Sequence, residues 1–132
     1  MSEQGVEFVE GIYGAFARGD VPAVLGAFAE DIEWYEAEGM PYGGLHHGPE
    51  AIAQKVFGPI TEDIDGFALV IEGFIGSGAT VAAVVRYTGT GKATGKALDV
   101  PAVHVWDIRD GKVTRFRQFM DTVKYAEVVP AT

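Results

Sequence analysis

The chain contains no cysteine, which excludes disulfides, thiolate metal centres and a cysteine nucleophile. It contains no asparagine, so no N-glycosylation acceptor exists. It has only two serines, Ser2 and Ser77, and no Ser-His-acid order stands out. No run of basic residues occurs, and acids outnumber bases nineteen to ten. A net charge of −9 argues against nucleic acid or an anionic membrane surface as partner. No apolar run reaches membrane-spanning length. The N-terminal stretch "MSEQGVEFVE" is acidic and has no apolar core, so it does not read as a signal peptide. These absences predict a soluble, cytoplasmic protein.

What is present is a chain of 132 residues, the size of one ordinary domain, and residues 1–132 are read as such. Apolar residues make up 48% of it, with eight Phe, five Tyr and two Trp, enough for a core without covalent staples.

Val9, Ile12, Tyr13 and Phe16 recur at helical spacing and predict a helix over residues 3–18. Gly19 stops it. Asp20 caps a second helix with Pro22 in its first turn, and Val24, Leu25 and Phe28 form its buried stripe. A short strand follows in which Ile32, Trp34 and Glu36 share one face. "MPYGGLHHGPE" reads as a loop leading into a third helix at Gly48-Pro49-Glu50, which Gly58-Pro59 ends. "FALVIEGFIG", "ATVAAVVRYTGT", "KALDVPAVHVWDIR" and "KVTRFRQFMD" read as four consecutive antiparallel strands, and "VKYAEVV" as a short closing helix. Helices first and strands afterwards predict an α+β fold, with three N-terminal helices packed on a curved sheet. The space between a twisted sheet and its helices is a natural small-molecule pocket.

The connection "IRDGKV" sets which residues face that pocket, because a one-residue slip exchanges the faces. A two-residue turn at Asp110-Gly111 would put His104 on a face with Arg115, Arg117 and Asp121. A three-residue turn with a bulge at Gly111 puts Val100, Ala102, His104 and Trp106 with Phe116, Gln118 and Met120. The second arrangement gives one apolar surface with just two polar groups, so we expect it. Asp121 then looks outward and caps the last helix or pairs with Arg117.

Two other patterns lead nowhere. His46 and His47 are adjacent, point opposite ways in extended chain and have no third ligand at metal spacing. "GTGKATGKA" departs from a phosphate loop, which needs Gly at Thr90 and Ser or Thr at Ala97.

"ARGDVPAVLGAFAEDIEW", "YGGLHHGPEAI" and "VHVWDIRDGKVTRFRQFMDT" together resemble the SnoaL-like branch of the nuclear-transport-factor-two-like superfamily over nearly the whole chain. The resemblance implies a cone-shaped α+β barrel, often a homodimer through its sheet. The branch includes ketosteroid isomerases, polyketide cyclases and epoxide hydrolases. The isomerases place a general-base Asp at the end of the first strand, where Glu36 falls, and an oxyanion donor where His104 falls. Their tyrosine position is Ile12, with Tyr13 one step away. The cyclases pair a His with an Asp fourteen residues later; His104 matches the first, while the second is Gln118. The epoxide hydrolases use an Asp at that same place.

The resulting expectation is proton transfer on a small apolar carbonyl compound, without cofactor or metal. Glu36 is the base, its pKa raised by burial. His104 faces the developing oxyanion and Gln118 orients the ligand. Tyr13, Trp34, Trp106, Phe116 and Met120 form the ligand wall. A non-catalytic binding domain with the same pocket, and a dimerisation module with a vestigial one, are the other two readings. Val103, Val105 and Phe119 on the outer sheet face suggest a homodimer surface.

Overall fold

The structure is a computed structural model that describes residues 2–130. Helix α1 (Ser2–Ala17) and helix α2 (Val21–Gly26) are joined at Gly19, whose φ of 72° suits glycine. Asp20 caps α2 by accepting from the Ala23 N–H at 3.2 Å, and Pro22 lies in the first turn, as its sequence predicts. Strand β1 (Phe28–Glu36) and strand β2 (Gly44–His47) pair antiparallel. Helices α3 (Pro49–Ile52) and α4 (Gly58–Asp63) flank a π turn over Ala53–Phe57. Four long strands follow: β3 (Ile64–Ser77), β4 (Thr80–Gly91), β5 (Ala97–Arg109) and β6 (Lys112–Met120). Helix α5 (Thr122–Val128) closes the described chain.

The six strands form one curved sheet in the order β2-β1-β6-β5-β4-β3. All pairs are antiparallel except β1 with β6. The expected α+β cone with a mixed sheet is therefore present. Its core lies between the concave face and the helices. Along β4, Val81, Ala83, Val85 and Tyr87 point into it; along β5, Leu98, Val100, Ala102, His104 and Trp106 do so.

Phe28, expected in the stripe of the second helix, opens β1 instead, because α2 ends at Gly26. Three further local expectations are corrected. The stretch read as a loop after β1 contains β2, an edge strand held by backbone pairing to β1 rather than by an apolar pattern. The helix expected to stop at Gly58-Pro59 continues through it. The Gly58 N–H reaches back five residues to the Ala53 carbonyl, and Pro59 falls in the first turn of α4, where its missing N–H costs nothing.

The third correction concerns the β5–β6 connection. Arg109 pairs with Lys112, so Asp110-Gly111 is a two-residue turn, with φ of 52° and 73° at its two residues. The bulge expected at Gly111 sits at Thr114 instead: Ile108 pairs with Val113 and Asp107 with Arg115, leaving Thr114 unpaired. The extra residue restores the inward set that the other turn would have given. His104 faces Gln118, Trp106 faces Phe116 and Ala102 faces Met120.

Candidate functional site

Strand alternation delivers the site. On β1, Ile32, Trp34 and Glu36 are all buried. Glu36 is the strand's last residue and only 1% exposed. Its Oε1 accepts from the Trp34 indole N–H at 2.9 Å, and its Oε2 is buried without a hydrogen-bond partner. Burial pushes its carboxyl up from 4.5 to about 7, with the Trp34 indole and the Gln118 amide pulling the other way. The side chain can therefore hold or release a proton near neutrality.

His104 sits two strands away with both ring nitrogens occupied. The Tyr13 hydroxyl lies 2.6 Å from Nδ1 and the Tyr87 hydroxyl 2.7 Å from Nε2. Trp106 donates its indole N–H to the Tyr13 oxygen at 3.0 Å. Gln118 donates its amide to the Tyr87 oxygen at 2.6 Å and accepts the Ala37 backbone N–H at 3.0 Å. Burial lowers His104 from 6.5 to about 3, so the ring is neutral at physiological pH. Tyr13 and Tyr87 are both raised, chiefly by burial, and the Glu36 charge adds to the effect on Tyr87. Both phenols keep their protons.

Glu36, His104, Tyr13 and Tyr87 line a cavity of about 30 Å³ together with Trp34, Trp106 and Phe116. Phe16, Val56, Phe57, Ile60, Phe67 and Leu69 complete its wall. The Trp34 ring stacks on Phe116 with centroids 3.6 Å apart, and Phe57 meets Trp34 edge-on. This volume suits one or two waters. A larger guest needs the wall to move.

Of the site residues anticipated from sequence, Glu36, His104, Tyr13, Trp34, Trp106 and Phe116 meet at this cavity. Gln118 is fully buried behind it and holds Tyr87 in place. Met120 is partly buried and outside the lining. Asp121 caps α5, accepting from the Lys124 N–H at 3.0 Å. Arg117 pairs with Asp107 at 3.6 Å. Tyr87 was not anticipated. Its signal was the period-two run Val81, Ala83, Val85, Tyr87, which places its ring on the same face as theirs.

Tyr13 comes into play because it is buried beside Ile12 on α1, and its hydroxyl reaches His104 on β5. His46 bonds the Tyr42 carbonyl and His47 lies 3.8 Å from Glu33. Among the described residues, no three His, Asp or Glu side chains gather to hold a metal ion, and no helix is long and apolar enough to cross a membrane.

The model of the SnoaL-like domain matches residues 9–116. The chain belongs to the SnoaL-like family. An NTF2-like protein from Burkholderia thailandensis is similar over 98% of both chains, at 32% identity and a TM-score of 0.91. An NTF2-like protein of unknown function from Burkholderia pseudomallei is 30% identical over 99% of this chain and 100% of its own, with a TM-score of 0.89. TerC, co-crystallized with polyporic acid, is 28% identical over 96% of this chain and 98% of its own, with a TM-score of 0.86. No curated protein matches the chain.

Proposed function

We propose that this SnoaL-like chain is a cofactor-independent enzyme that moves a proton on a small, largely apolar carbonyl compound. The observation that carries the reading is Glu36. A carboxyl that is 1% exposed, bonded through one oxygen only and poised near neutrality is costly to keep in a core. It suits a base that takes up a proton lost by the ligand and returns it. The neutral phenols of Tyr13 and Tyr87 stand on the same cavity, and whichever does not donate to His104 can donate to an oxyanion. The aromatic wall suits a flat apolar guest, and the polyporic acid found with TerC supports a small-molecule occupant.

The reading is tested by conversion of a β,γ-unsaturated ketosteroid, followed by enone absorbance, and by quenching of Trp34 and Trp106 fluorescence with polyporic acid. Glu36→Gln should abolish conversion and leave quenching intact. Unchanged conversion in that variant would remove Glu36 from the mechanism.

A non-catalytic binding role is the second reading. The cavity of about 30 Å³ favours it, because the cone is nearly filled by side chains. Quenching without conversion by any carbonyl probe would select it.

The outer sheet face supports a homodimer in either case. Leu45 and Phe119 are 55% and 50% exposed. They flank a groove that also carries Glu33, Glu38, Arg115 and Arg117, so acidic and basic groups of a second copy could pair across it.

A further inference from the structure

The hydroxyl–imidazole chain has more protons than acceptors. A neutral imidazole offers one N–H and one bare nitrogen. Each ring nitrogen of His104 faces a tyrosine oxygen, and each tyrosine oxygen already accepts one N–H, from Trp106 or from Gln118. One tyrosine must therefore donate to the ring while the other accepts from it. The accepting tyrosine then holds two incoming hydrogen bonds, and its own O–H is left to point elsewhere.

Two arrangements satisfy this count. In the first, Tyr13 donates to Nδ1, Nε2–H donates to Tyr87, and the Tyr87 O–H is free. In the second, Tyr87 donates to Nε2, Nδ1–H donates to Tyr13, and the Tyr13 O–H is free. Glu36, whose Oε2 is unpartnered, lines the same cavity as Tyr87. The Gln118 amide, which donates to Tyr87, also lies against the Glu36 carboxyl. The cavity they share has room for one water, which can bridge the Tyr87 hydroxyl and the Glu36 carboxyl.

We propose that Tyr87, His104 and Tyr13 form a proton relay between Glu36 and a ligand beside Tyr13, and that the imidazole tautomer is set by whether Glu36 is ionised. An ionised Glu36 draws the free Tyr87 O–H and selects the Nε2–H ring. A protonated Glu36 donates to the Tyr87 oxygen, turns the Tyr87 O–H onto Nε2 and selects the Nδ1–H ring. Passage from the first state to the second moves one proton in balanced steps. The Tyr87 proton goes to Glu36, the Nε2 proton to Tyr87, the Tyr13 proton to Nδ1, and a proton from the ligand to Tyr13. The ligand is left as an anion facing the Tyr13 O–H, and no other reactant is needed. His104 is then a positioning and relay residue that stays neutral throughout.

Several titratable groups act on this cluster from the packed elements. Glu36 comes from β1, Tyr13 from α1 and Tyr87 from β4. Tyr125 from α5 acts on Tyr87, and Asp63 at the end of α4 acts on Tyr125 and Tyr42. Burial raises Tyr42 and Tyr125, and neither exchanges a hydrogen bond with the imidazole. The carboxyl that remains to switch the ring near neutrality is Glu36.

The relay deepens the proton-transfer reading and rests on it for its ligand, yet its test needs none. Long-range ¹⁵N–¹H correlation spectra of the labelled protein identify which nitrogen of His104 carries hydrogen. Below the Glu36 midpoint it should be Nδ1, and above it Nε2, with no imidazolium on either side. In Glu36→Gln the amide N–H replaces the acid O–H, so the ring should stay Nδ1–H throughout. The same tautomer on both sides of the midpoint in the native chain would overturn the relay, as would a switch that survives in Glu36→Gln. A missing switch in a protein whose turnover dies with Glu36→Gln removes the relay and leaves the base. A switch in a protein that converts no carbonyl probe upholds the relay and counts against the enzyme.

Discussion

Replacing Glu36 with Gln should reshape the pH dependence of stability in a direction opposite to most carboxylate substitutions. Glu36 titrates at about 7 in the fold, against 4.5 for the ordinary carboxyl. Between those values the folded chain keeps a proton that the unfolded chain has released. Its contribution is fully present below 4.5 and is lost as pH rises through about 7. The displacement corresponds to about 3 kcal/mol. Gln keeps an oxygen for the Trp34 indole N–H and never ionises. The variant should therefore gain on the native protein by about 3 kcal/mol between roughly pH 4 and roughly pH 9.

The His104 contribution has the reverse sign. Its folded value of about 3 lies below the ordinary 6.5, so stability falls as pH drops from 6.5 toward 3. That loss is common to both proteins and cancels in their difference. Urea unfolding of the two chains at the two ends of the range measures the effect directly. A stability difference that does not change with pH would mean that Glu36 is ionised in the fold at no cost, and the account of its burial would be refuted.

Gln118→Ala strands the Ala37 N–H and removes the donor to Tyr87, so it should cost about 2–4 kcal/mol in chemical denaturation. A loss below about 1 kcal/mol would show that water replaces the amide. Phe57→Ala removes the ring that meets Phe16, Phe28 and Trp34, and should cost about 3 kcal/mol while enlarging the cavity. Polyporic acid should then quench Trp34 fluorescence more strongly than in the native chain. Phe119→Lys places a cation in an exposed patch beside Arg117; on the proposed homodimer it should shift sedimentation toward monomer with the melting curve of the protomer little changed, and a native chain that sediments as a monomer would refute that proposal.

Much of this architecture was legible in the sequence because it rests on periodicity. Alternation along β1 placed Glu36 beside Trp34, and the apolar faces of β5 and β6 brought His104 opposite Gln118. Asp20 and Asp121 declared themselves as helix caps by position. What stayed hidden depends on backbone geometry with no side-chain signature. Strand β2 is made by pairing alone, and the π turn passes a glycine-proline pair that ordinarily ends a helix. Tyr87 escaped notice for another reason. Its role exists only because His104, on the next strand, turns a ring nitrogen toward it. The hairpin was read with the right residues inside and the wrong device outside, since a bulge at Thr114 and a bulge at Gly111 give the same facing.

That equivalence makes the spare residue at Thr114 a parity element for the whole of β6. Pairing it regularly with Asp107, with the Asp110-Gly111 turn kept, would shift the rest of the strand by one place and present Arg115 and Arg117 to the core in place of Phe116 and Gln118. The hollow would then hold two guanidinium groups where an aromatic ring and an amide now stand. A length change in this hairpin is consequently not a surface event, and grafts between members of this fold should keep turn and bulge as one unit.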